Sequence, residues 1–188
     1  MKAQNIYTVP HRRKREGRTN YRKRLKLLQP GKLRLVVRKS LKGMYASLVG
    51  FHGTGDKVLA AASTQELKKL GWDINGGNLP SAYLVGLLLG TKAKKLRLEE
   101  AILDIGLYSQ VKKSRVYAAL AGALDAGLQV PHSKDVLPEK DRIEGRHIAS
   151  YASIAGGETQ FSSYKKNHRP DTIIGKFQDI KSKILREG

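Results

Sequence analysis

From Leu33 the chain alternates. Leu33, Leu35 and Val37 fall on one side, and Arg34, Val36 and Arg38 on the other. This two-residue period belongs to a strand with one face on a core. Ser40, Lys42 and Gly43 supply a turn, after which Met44, Ala46 and Leu48 alternate with Tyr45, Ser47 and Val49 in a second strand. Gly53-Thr-Gly55-Asp56 closes that strand, and Val58 to Ala62 reads as a third. Residues 33–62 are therefore predicted to form an antiparallel meander whose second face carries Arg34, Arg38, Tyr45 and Ser47.

The period then changes. Ser63-Thr64 ahead of Gln65 to Leu70 predicts a short capped helix that stops at Gly71. Asn78 can cap the next segment, Pro80 is tolerated in its first turn, and Ala82 to Lys95 runs helical with a broad apolar face. Ala101 to Ile105 is almost wholly apolar, as expected of a parallel strand in the interior of a sheet. Val116, Ala119, Leu120, Ala123 and Leu124 follow helical spacing, and Gly127 ends that helix. Beyond Pro131 the pattern weakens until residues 171–186, where Ile173, Ile174, Phe177, Ile180 and Ile184 restore a helix. Residues 148–169, with Gly156-Gly157 and Ser162-Ser163, read as a linker lying on a partner's surface.

These elements predict an α/β fold: a mixed sheet, antiparallel meander first and parallel α/β unit second, with packed helices, a basic amino-terminal arm and a carboxy-terminal helical extension. The expected division is an arm over 1–30, a globular domain over 31–147 and a linker with helical extension over 148–188. A chain of 188 residues suits one core with attachments better than two independent domains.

Charge shows what such a core is for. The chain carries +20, of which residues 1–42 supply +14 from 15 Lys or Arg against one acid, Glu16. Solubility alone asks for far less, so a polyanion should lie against the protein. Like charges crowd at Arg12-Arg13-Lys14-Arg15 and again at Arg18, Arg22, Lys23, Arg24 and Lys26, with few apolar residues to fold around. Such a block is expected to stay poorly ordered until an anion neutralises it. The bland alternative is a solvated basic tail, but Asn20 and Tyr21 interleaved among the cations favour nucleic acid. Arginine forks pair with phosphate, and a guanidinium or phenol ring stacks on an unpaired base. The arm at about 6–10 phosphates implies a fall in affinity of roughly three to five decades between 50 and 200 mM salt. Arg34, Arg38 and Tyr45 would extend this platform onto the sheet.

No apolar run approaches the roughly 18 residues that span a bilayer, so no membrane is expected as partner. The basic amino terminus lacks a following apolar region and does not read as a secretory signal. The absence of cysteine removes disulfides and thiolate zinc sites and suits a cytoplasmic location. His11, His52, His132, His147 and His168 show no ligand spacing, and the Gly-Lys and Gly-X-Gly pairs complete no phosphate loop. No cofactor, metal or small-molecule substrate is expected. The enzymatic alternative is a metal-dependent nuclease built on Asp104 with Asp56, Glu99, Glu100 or Asp125. Hydrogen bonding of Asp104 to the turn at Ile105-Gly106 is the better reading. A general DNA-binding protein is the non-enzymatic alternative.

Several long strings carry a resemblance: Arg12 to Leu25, Arg34-Leu-Val-Val-Arg-Lys-Ser40, Gly71-Trp72, Gly77 to Tyr83, Leu103-Asp-Ile-Gly106, Gly122 to Gly127, and Val130 to Ser133 leading to Arg142 to His147. Over about residues 9–147 the chain resembles the archaeal and eukaryotic branch of the universal large-subunit ribosomal protein family eighteen. The resemblance implies a non-enzymatic protein of the cytoplasmic ribosome that binds 5S rRNA. It would dock that RNA against large-subunit rRNA and neighbouring ribosomal proteins in the central protuberance. It also adds Lys39 and Ser40 to the candidate RNA contacts, beside Arg12, Arg13, Arg15, Arg18, Asn20, Tyr21, Arg22, Arg24, Lys26, Arg34, Arg38 and Tyr45.

Overall fold

The structure, a computed structural model, describes residues 8–154 and 172–187. The alternation over 33–62 forms three strands, β1 (Leu33–Lys39), β2 (Met44–His52) and β3 (Gly55–Ser63), and β4 (Ala101–Asp104) joins them in the order β3-β2-β1-β4. β1 pairs antiparallel with β2 and parallel with β4, so the sheet is mixed as expected. The position expected of β4 is corrected. Its apolar run predicted an interior strand, but among the described residues it lies at the sheet edge, next to β1.

One face of the sheet buries Leu35, Val37, Ala46 and Leu48, with helix α4 (Leu79–Lys95) lying on β2 and β3. Asn78 starts α4, its Oδ1 accepting from the Ser81 amide at 2.9 Å. The preceding helix α3 (Thr64–Lys69) starts differently from the sequence reading. Ser63 makes no side-chain cap, and Thr64, buried beside β2, turns its Oγ1 to accept from the Met44 amide at 3.3 Å. Thirteen of the 17 residues of α4 are buried, which marks it as the central helix rather than a surface one.

Close backbone approach explains how α4 is covered. Helix α5 (Arg115–Asp125) crosses it at glycines on both sides. A Cβ on Gly86 would stand 1.8 Å from the Ala119 carbonyl oxygen, and one on Gly122 would stand 2.0 Å from that of Tyr83. Only hydrogen fits at either position. The helix α8 (Thr172–Glu187) covers another flank, burying Ile173, Phe177, Ile180 and Ile184. Sequence reading set this helix apart as an extension, whereas its apolar stripe belongs to the same core as α4. Tyr83 links all three helices: its ring lies 5.5 Å from that of Phe177, and its hydroxyl donates to Asp125 at 2.6 Å. Burial and the neighbouring Asp125 carboxylate push the Tyr83 phenol far above its ordinary range.

Residues 131–154 are more regular than the weak pattern suggested. A 3-10 turn at Lys134–Val136 precedes helices α6 (Lys140–Glu144) and α7 (Arg146–Ile154), hinged at Gly145 with φ of 85°. Each is shorter than the window of about 11 residues over which a helical period is read. The linker expected over 148–169 is thus helical to Ile154, and its remainder lies outside the described residues.

Candidate nucleic-acid interface

The second face of the sheet carries the arm. Helices α1 (Arg12–Arg15) and α2 (Tyr21–Leu28) bury no residue, so Arg12, Arg13, Arg15, Arg18, Arg22 and Lys26 all present exposed cations. The sequence predicted a poorly ordered block here, but the structure holds it with specific contacts. Asn20 caps α2 by accepting from the Lys23 amide at 3.1 Å, and Arg13 Nε donates to Thr19 Oγ1 at 2.9 Å. Glu16, the single acid of the arm, sits 3.5 Å from Arg12 and 3.3 Å from Arg18. The Tyr21 ring lies 5.2 Å from that of His11.

Arg24 fastens this arm to the sheet. Its two terminal nitrogens donate to the two carboxylate oxygens of Asp56 on β3 at 2.9 and 2.8 Å. The fork geometry supplies strength and direction together. Arg34 stands beneath, its Nη2 2.7 Å from Asp56 and its Nη1 donating to Asp104 at 3.1 Å. The β1–β2 register sets Arg34 opposite Val49, Val36 opposite Ser47 and Arg38 opposite Tyr45, which keeps all six on this face.

The face is less open than alternation suggested. Arg34 is 3% exposed and Ser47 2%, so the expectation that both lie on a solvent-facing platform is corrected. Ion pairs and the covering arm explain the first. Arg38 is partly accessible and donates to the Asp104 carbonyl at 2.7 Å and to its carboxylate at 3.3 Å. Tyr45 is exposed. Lys39 Nζ lies 5.2 Å over the Tyr108 ring, whose hydroxyl donates back to the Lys39 carbonyl at 2.8 Å. Ser40 donates to the Gly43 carbonyl at 3.1 Å, and its own carbonyl accepts from Arg115 at 3.1 Å. The candidate residues thus divide: Arg24, Arg34 and Arg38 meet Asp56 and Asp104, with Arg13, Arg18, Asn20 and Lys26 lining the same cleft, while Tyr45 pairs opposite Arg38 and Lys39 and Ser40 follow at the end of β1.

Asp104 accepts from Arg34, from Arg38 and, at 2.8 Å, from the Gly106 amide. A carboxylate so engaged anchors cations of the protein, and the turn contact is the one its sequence context suggested. No group of three or more His, Cys, Asp or Glu is placed to hold a metal among the described residues. What sequence reading missed was the role of Asp56 and Asp104 as anchors, and the part of Tyr108 and Arg115 in fixing the end of β1. Two arginines on one sheet face were the available signal, since they call for acids nearby.

Electrostatics make the Asp56 anchor pH dependent. The Arg24 fork holds the Asp56 carboxyl below the usual carboxylate range, against the opposing effect of partial burial, and Arg34 adds to the lowering. A carboxyl with a depressed folded value contributes stability above its unfolded value, about pH 4, and loses it as pH falls through the folded value. The arm should therefore be docked at pH 7 and released in strong acid. Asp56→Asn is expected to weaken docking by about 1 kcal/mol, because the pair is one-third accessible to solvent. Tryptic cleavage within residues 12–24 at pH 7 would then speed up severalfold, and an unchanged rate would rule the anchor out.

Residues 5–101 and 92–133 match the family model described as ribosomal large subunit proteins 60S L5 and 50S L18. The large ribosomal subunit protein uL18 of Korarchaeum cryptofilum is 48% identical over 183 residues, which cover 95% of this chain and 94% of that protein.

Proposed function

Because the chain belongs to the ribosomal large-subunit family of 60S L5 and 50S L18, which is structural and not enzymatic, we propose that its task in the subunit is to bind 5S rRNA and dock it in the central protuberance. Membership makes it a constituent of the large ribosomal subunit in the cytoplasm, with rRNA and ribosomal proteins as partners. No helix among the described residues is long and apolar enough to cross a membrane.

The observation that carries the RNA reading is the exposed guanidinium array of α1 and α2, held in place by the Arg24–Asp56 fork. Arg12, Arg13, Arg15, Arg18, Arg22 and Lys26 neutralise phosphates, and Asn20 and Tyr21 add hydrogen bonding or stacking. Arg38, Lys39, Ser40 and Tyr45 extend the contact along the sheet. Arg24 and Arg34 act from below, by holding the arm against the sheet. Residues 1–30 form the binding arm and 31–147 the domain that positions it, with 172–187 packed on that domain.

Affinity for 5S rRNA, measured with unrelated structured RNA and duplex DNA as competitors at matched salt, tests the reading. A 5S preference that persists from 50 to 200 mM salt is the expected result. Equal affinity for all three would reduce the protein to a nonspecific polycation.

A further inference from the structure

The turn between β1 and β2 is held from three directions. Tyr108, in the loop after β4, donates its hydroxyl to the Lys39 carbonyl at 2.8 Å. Arg115, the first residue of α5, bridges with one nitrogen: its Nη1 donates to the Ser40 carbonyl at 3.1 Å and to the Gly77 carbonyl at 2.7 Å. The loop before α4 supplies the third side. It is itself fixed, since the Gly77 amide donates to Asn75 Oδ1 at 2.8 Å and the buried Ser81 donates its hydroxyl to the Gly76 carbonyl at 2.8 Å. Its glycines abut the turn so closely that a Cβ on Gly77 would stand 2.2 Å from the Leu41 carbonyl oxygen, and one on Gly76 would stand 2.8 Å from that of Lys42. Three elements distant in sequence thus bond or abut the carbonyls of residues 39–42, while Ser40, Leu41 and Lys42 stay exposed.

Helix electrostatics disfavour Arg115 where it stands. A helix amino terminus carries partial positive charge and favours acids, yet the first turn of α5 has no acid and opens on an arginine, and Ser114 makes no side-chain cap. The two carbonyls offset the misplaced charge, so the turn, and not α5, explains the position of this cation.

We propose that Arg115 is a positioning residue for the choice among RNAs: it fixes the turn so that Lys39, Ser40 and Lys42 meet RNA in one geometry, without touching the RNA itself. This rests on the RNA-binding reading above. Charge and geometry act separately. The exposed cations of α1 and α2 attract any RNA through counterion release, whereas a preference for one RNA needs groups held at fixed spacing. A turn released at the Ser40 carbonyl keeps its charge and loses its spacing.

Arg115→Ala and, separately, Gly77→Ala test the role in the full chain, titrated with 5S rRNA and with an unrelated structured RNA across a salt series. The first removes the bridge, and the second presses on the turn from the other side without altering charge. Each is expected to weaken 5S binding about tenfold, to leave the unrelated RNA within about twofold and to keep the salt slope. A phosphate contact by Arg115 would instead lower the slope by about 0.7–0.9. Arg115→Lys should retain most of the preference, because an ammonium has three donors and can bond both carbonyls. Binding is read well below each variant's unfolding transition, so that lost structure is not mistaken for lost geometry. Equal losses for both RNAs, a slope that drops in Arg115→Ala, or a lysine variant no better than the alanine one overturns the proposal. A 5S preference that both alanine variants leave intact removes this inference alone, whereas no 5S preference in the unsubstituted chain takes the RNA reading down with it.

Discussion

Removal of residues 1–26 is expected to lower RNA affinity by at least about a thousandfold at 100 mM salt and to leave the folded core intact. The affinity loss follows from counterion release. Each phosphate contact contributes about 0.9 to the slope of log affinity against log salt for duplex and about 0.7 for single strands, so a residual slope near two contacts should replace one near six or more. The core should survive because neither α1 nor α2 buries a residue and because Arg34, once Arg24 is gone, keeps both Asp56 and Asp104. Filter binding across a salt series and a thermal unfolding curve read the two halves of the statement. An affinity within threefold of the full chain would place the interface elsewhere, and a collapsed unfolding transition would mean that the arm is part of the core.

Asp104→Ala should destabilise the protein by roughly 3–5 kcal/mol, the range for removing one partner of a buried ion pair. The Arg34 side chain is 4% exposed and that of Asp104 9%, so water cannot replace the lost carboxylate. Loss extends to Arg38 and to the Gly106 amide, which bond the same carboxylate. Asp56 retains half of the pairing of Arg34, which keeps the effect within that range. Adding Arg34→Met in the same chain should recover part of the loss, because the stranded cation is then gone. Urea unfolding at pH 7 measures both variants. A loss below 1 kcal/mol for the single change, or no recovery in the double, would show that the Asp104 cluster is not what fixes β4 to β1.

Much of this was legible in the order of residues. A strand with one buried face repeats its environment every second position, so Leu33 to Ala62 disclosed β1, β2 and β3 without any tertiary information. Asn78, Gly71 and Gly127 marked helix ends because their chemistry there is local. Tertiary partners were not legible. An apolar run such as Ala101 to Ile105 looks the same at the centre of a sheet and at an edge covered by other elements. Arg34 looked exposed because Asp104 lies 70 residues away, and nothing local says that the two meet. The helices over 140–154 are shorter than the window of about 11 residues over which a helical period is read. Electrostatic repulsion argued for a loose arm, and it lost to one fork on a distant acid.

That fork changes when the ordering of the arm is settled. Fixing the backbone of one residue costs about 1–2 kcal/mol of chain entropy, and α2 fixes eight. A segment that folds only on its target must offset that entropy from the binding energy itself, which lowers affinity for a given contact area. Asp56 and the Asn20 cap, at about 1 kcal/mol each, bias α2 toward its docked form inside the free protein, so it meets less of that cost at its target than a free tail would.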